Sequence, residues 1–163
     1  MTNGSLQIEQ DLAYHRHAWF FQRIAWAIMS LVVAAAAAGL FGAGVLSSVS
    51  LSDNPQVLVN YERFSRYLSP TSMTVRTRAD SARGEVHIRI NKRFFEEMKI
   101  EKVVPEPVTV VIEDEWLNYG FQLNAPGDAV IRFDLMPQTV GRLNGAIRAD
   151  TGPAISFTQF VYP

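Results

Sequence analysis

The residues best suited to acid–base chemistry are few and poorly placed for it. Of the three histidines, His15 and His17 precede a long apolar run and His87 follows it, so no compact segment gathers them. His87 stands close to Glu85 and Arg89 in an alternating stretch. A histidine beside a carboxylate can shuttle protons. Residues at i and i+2 of a strand, however, share a face by geometry alone, and His87 reads as a solvated side chain. Carboxylates are densest at Glu96 and Glu97 and at Glu113, Asp114 and Glu115. Calcium takes about six to eight oxygens presented by a loop. Neither cluster has that spacing, and both read as solvated turns. No GxSxG or Ser–Lys pattern supplies a nucleophile. GLFGAG is no phosphate loop, because Gly39, Gly42 and Gly44 lie inside the apolar run, where they serve helix packing. With no cysteine in the chain, disulfides and thiol chemistry are excluded. The pattern points to a protein that is not an enzyme and uses no cofactor and no metal.

The apolar run covers residues 24–46, IAWAIMSLVVAAAAAGLFGAGVL, twenty-three residues without a charge. As a helix it reaches about 34 Å, against a hydrocarbon core of about 30 Å. A secretory signal has an apolar core of only about 7–15 residues. The expectation is an uncleaved transmembrane helix, with a cleaved signal as the alternative. Arg16 and Arg23 lie before the run, and the first basic residue after it is Arg63. Positive residues stay on the cytoplasmic side. That predicts an N-terminus inside, a C-terminal domain outside, and residence in the cytoplasmic (inner) membrane. Trp19, Phe20, Phe21 and Trp26 form an aromatic belt at the inner boundary, so Arg16, Trp19, Arg23 and Trp26 are the expected membrane-interface residues. Residues 6–22 should extend the helix. Leu12, Trp19 and Trp26 recur every seven residues, which suits a helix at the headgroups with snorkelling arginines, or one docked on a membrane partner. Small residues recur at four-residue spacing: Ala35, Gly39 and Ala43 on one face, with Ala34, Ala38 and Gly42 beside them. Such a face lets helix backbones approach closely. The expected partners are the lipid bilayer and another integral membrane protein or a second copy.

The chain then divides into a cytoplasmic amphipathic segment (1–23), the membrane helix (24–46), a polar linker (47–55) and an extracytoplasmic β domain (56–163). Val86, Ile88 and Ile90 alternate with Glu85, His87 and Arg89. Leu117, Tyr119, Phe121 and Leu123 do the same, as do Ala129, Ile131, Phe133 and Leu135. Further strands are expected near 57–61, 73–79, 108–112, 140–148 and 154–162, with turns at 80–84, 124–127 and 150–153. One short helix is expected at 92–98, with Asn91 as its N-cap. The predicted fold is therefore one N-terminal transmembrane α-helix plus a mostly antiparallel β domain, a sandwich or small barrel.

Net charge is −1, which argues against nucleic acid, since that needs a concentrated basic excess. Charge is nonetheless uneven. Arginines from Arg63 to Arg93 make a basic half and carboxylates from Glu96 to Glu115 an acidic one. Either neighbouring strands neutralise one another, or a charged surface docks on a partner or on anionic headgroups.

FFQRIAW before the apolar run, LFGAGVLS at its end, YERFSRY after the linker and the closing FTQFVYP resemble small bacterial single-pass (bitopic) membrane proteins of unassigned function. That resemblance implies no substrate, cofactor or catalytic residue. The expected function is a non-enzymatic accessory or scaffold subunit of a bacterial membrane protein complex. The alternative is a membrane-tethered binding module for a small ligand, lipid or cell-wall glycan.

Overall fold

A computed structural model describes residues 12–38, 47–54, 57–79, 84–123, 127–149 and 152–163. The chain forms two compact units, Met1–Ala37 and Ala38–Pro163. Among the described residues the first holds one helix, α1 (Leu12–Ala37). Its sequence has no glycine or proline, and alanine and leucine carry high helix propensity. The described stretch apolar and long enough to cross a membrane is His17–Ala37. It begins before residue 24 and takes in Arg23. Residues 39–46 of the expected span lie outside the described residues.

The second unit is a sandwich of two sheets. The first sheet has five strands in the order β1 (Ser48–Asn54), β2 (Val57–Glu62), β4 (Thr71–Ala79), β9 (Gly127–Pro137) and β6 (Met98–Val104). The second has six: β3 (Phe64–Arg66), β11 (Ile155–Tyr162), β10 (Gly141–Ala149), β5 (Glu85–Asn91), β8 (Trp116–Gln122) and β7 (Thr109–Glu113). All pairs are antiparallel except β3, which runs parallel to β11.

The period-two alternation sets which side chains meet between the sheets. Val59, Val75, Ile131 and Phe133 face inward from the first sheet, and Val86, Ile88, Ile90 and Phe121 from the second. A short helix, α2 (Lys92–Glu96), links β5 to β6 across the layers. Its N-cap is Asn91, whose Oδ1 accepts the Arg93 backbone N–H at 2.9 Å. Phe94 of α2 is fully buried and meets Phe157 edge-on, with ring centroids 4.9 Å apart. A Cβ at Gly145 would run into the Phe157 ring, so only glycine fits opposite it on β10.

Residues 47–55, read as a linker, contain a strand instead. Ser48, Ser50 and Ser52 point outward, which makes the segment look like a polar loop, while Val49 and Leu51 pack on the core. Ser47 is buried: its backbone carbonyl accepts the Arg63 N–H at 2.6 Å, and its hydroxyl donates to the Phe64 carbonyl at 3.1 Å. The short helix ends at Glu96 rather than 98, because Met98 already belongs to β6. The expected turns at 80–84, 124–127 and 150–153 fall largely outside the described residues.

Candidate functional site

On α1 the aromatics of the expected belt are exposed. Trp19, Phe20, Phe21 and Trp26 all present open rings, as do Ile28, Leu31 and Val33 further along. The Arg23 guanidinium lies over the Trp19 ring, 3.8 Å from its centroid. One turn of helix brings residues i and i+4 together, and the pair is a cation–π contact. Thus two of the four expected interface residues meet. The Arg16 side chain lies outside the described residues. So do Gly39, Gly42 and Ala43, leaving Ala34, Ala35 and Ala38 as the described members of the small-residue faces.

In the sandwich, His87 sits on the outer face of β5 opposite Gly120. Glu113, Asp114 and Glu115 form the β7–β8 turn, where Asp114 takes a φ of +54°, a region that aspartate tolerates better than most residues. Among the described residues no three histidines or carboxylates converge as metal ligands.

The charge asymmetry resolves differently on the two sheets. On the first, basic groups sit beside carboxylates: Arg78 with Asp128 at 3.1 Å, Arg132 with Asp134 at 2.7 Å and Lys99 with Glu101 at 2.9 Å. On the second sheet Arg89 makes a longer contact with Glu113, 3.8 Å. At its β3–β11–β10 end an open cleft of about 740 Å³ is lined by Arg63, Arg93 and Arg142 and, among the described residues, by no carboxylate. Among the described residues none of these three guanidiniums has an ion-pair partner. Strand register builds the floor. Arg142 lies opposite Phe160, and Phe160 opposite Phe64, so the three side chains form one row across the outer face. Phe160 is 47% exposed.

The opposite edge of the same sheet has another character. Val108, Val110, Val111 and Ile112 are 69%, 51%, 49% and 63% exposed. Val110 stands opposite Tyr119 and Ile112 opposite Leu117. Because Tyr119 belongs to the core, Val110 and Ile112 continue the core-facing side beyond what covers it. Among the described residues β7 pairs with β8 alone. The other edges are protected in recognised ways. β3 is three residues long, β6 carries Lys99, Glu101 and Lys102 with a shift of register, and β1 presents serines. Residues 103–115 contain Glu106, Glu113, Asp114 and Glu115 and no basic residue.

Sequence reasoning found VTVVI as a strand and the arginines as a basic half, but not the edge or the cleft. Both depend on strand order, which local alternation does not encode. Arg142 is the clearest case, since it lies far along the chain from Arg63 and Arg93.

No family model matches the chain, and no curated protein matches it. Among solved structures it is similar to a non-cellulosomal cohesin from the hyperthermophilic archaeon Archaeoglobus fulgidus. That match has 10% identity and a TM-score of 0.40, over 61% of this chain and 86% of the cohesin. It is also similar to a chain of the CaDoc0917–CaCohA2 complex, with 11% identity and a TM-score of 0.39, over 60% of this chain and 92% of that one. Likeness at this level bears on neither function nor partner.

Proposed function

We propose that this chain is a non-enzymatic accessory subunit of a bacterial membrane protein complex. In this reading α1 anchors it in the cytoplasmic membrane with the N-terminus inside, and the sandwich outside docks a protein partner through β7. The anchoring is supported by the uncovered apolar surface of His17–Ala37, which suits lipid and would be costly in water. Arg16 and Arg23 supply the orientation through the positive-inside bias.

The observation that carries the docking is β7. An edge strand with free backbone groups and apolar side chains on both faces is a template for strand addition. Its flanking carboxylates disfavour a second copy, since antiparallel self-pairing would bring acidic ends together. They favour an extended apolar segment bracketed by lysine or arginine. The test replaces Ile112 with lysine. The site is exposed, so stability should change by less than about 0.5 kcal/mol. A synthetic extended peptide with alternating valines and lysine ends should protect the β7 amides from hydrogen exchange in the wild type and not in Ile112→Lys. Equal protection in both, or none in the wild type, would overturn the docking. A second reading, the tethered binding module, is favoured by the arginine-lined cleft.

A further inference from the structure

The cleft at the β3–β11–β10 end has features that solvated surface arginines do not explain, and they do not depend on β7 as a docking edge. Most basic groups on the first sheet sit beside a carboxylate, whereas Arg63, Arg93 and Arg142 share a concavity with none among the described residues. Gathering like charges in a recess with apolar walls raises the local potential and concentrates counter-ions there. The three arrive from separate parts of the fold. Arg63 precedes β3 and holds the Phe160 backbone N–H on its carbonyl at 2.8 Å, Arg93 lies in the first turn of α2, and Arg142 lies on β10. Asn144 and Thr158, bonded to each other at 3.0 Å, form the next row across the floor. Beside them the half-open Phe160 and its register partner Phe64 add apolar surface on the same face.

We infer that this cleft binds a phosphoester carried on an apolar or ring-bearing body. The phosphate would sit among the Arg63, Arg93 and Arg142 guanidiniums and the body would lie on Phe160. Guanidinium forks match phosphate oxygens in bidentate geometry. Three positive charges without a carboxylate suit a group that carries up to two negative charges. A ring or acyl body would gain by covering Phe160, whereas inorganic phosphate would not. The same chemistry is presented by a free organic phosphate and by a phospholipid headgroup.

The experiment uses the full chain in nanodiscs of neutral phosphatidylcholine, with binding followed by isothermal titration calorimetry. The probes are phenyl phosphate, inorganic phosphate, phenol and the soluble lipid dihexanoylphosphatidylglycerol. Phenyl phosphate or the lipid should bind saturably and more tightly than inorganic phosphate, and phenol should not bind. Whichever of the two binds tighter identifies the source. Loss of one guanidinium, in Arg142→Gln or Arg93→Gln, should weaken that binding by roughly tenfold or more, the scale of a charge-assisted hydrogen bond. Arg142→Lys should recover part of it. Phe160→Ala should erase the advantage over inorganic phosphate and leave the latter unchanged. Arg78→Gln, on the first sheet, should have no effect. Thermal melts keep loss of fold apart from loss of binding, since Arg142 is exposed and, among the described residues, has no ion-pair partner to lose. Absence of saturable binding by every phosphate probe, or binding untouched in the Arg93→Gln/Arg142→Gln double variant, would overturn the assignment.

Discussion

Tyr119 shows how one buried polar atom ties this sandwich to pH. Its ring packs among Phe95, Phe121 and Phe133, with centroids 6.1, 6.5 and 5.5 Å away. Burial disfavours the phenolate and pushes its pKa up from 10.0 to about 12. The linkage then has a definite sign. Below the unfolded value of 10.0 both states hold the proton and stability is unaffected. Above it the unfolded chain gives up the proton first, so stability falls as pH rises from 10.0 through about 12. Tyr119→Phe keeps the packing and removes the proton. The variant should lose less stability than the wild type between those limits, measured by urea unfolding at stepped pH, and identical slopes would refute the role. That Tyr119 faces inward was legible from its alternation with Asn118 and Gly120. That Arg142 joins Arg63 and Arg93 was not, because residues so far apart in sequence meet only through the pairing of β10, β11 and β3.

Among the elements, α2 is the one whose local signal and tertiary role agree. Asn91 was readable as a cap, since a side-chain oxygen before a helical run satisfies an otherwise unpaired N–H. The depth of Phe94 was not readable. It follows from α2 crossing between the sheets and placing that ring against Phe157. Phe94→Ala should therefore cost about 3–5 kcal/mol, whereas Asn91→Ala should cost only about 1 kcal/mol. Chemical denaturation of the two variants checks the ratio, and comparable costs would mean that α2 is held by its cap rather than its core contact. Three strands escaped local reading for distinct reasons. β3 is too short to show a period. A register shift between Ile100 and Lys102 breaks the alternation of β6. In β1 outward serines mask two inward apolar residues. Edge strands are where such disguise is expected, since only one neighbour constrains them and solubility favours polar faces.

For the molecule as a whole, the separation of α1 from the sandwich bears on where the folding unit begins. Read as sequence, the polar stretch before residue 56 is a tether, and a fragment starting near Asp53 would keep the whole β domain. The structure moves that boundary back. β1 pairs with β2 from Ser48↔Glu62 to Asn54↔Val57, and Ser47 bonds to the backbone of both Arg63 and Phe64. Cutting at Asp53 would strip an edge strand from the first sheet, uncover core packed under Val49 and Leu51, and leave β2 with one free side. At roughly 25 cal/mol per Å² of apolar surface, losing two partly buried side chains costs about 2–4 kcal/mol, or on the order of 10 °C in melting temperature for a domain of this size. A 47–163 fragment should be soluble, show β-type circular dichroism and melt in one cooperative step. A 53–163 fragment should melt lower by about that margin and self-associate more readily, because β2 would become an unprotected edge beside β4. Equal melting of the two fragments would return residues 47–52 to the role of a tether.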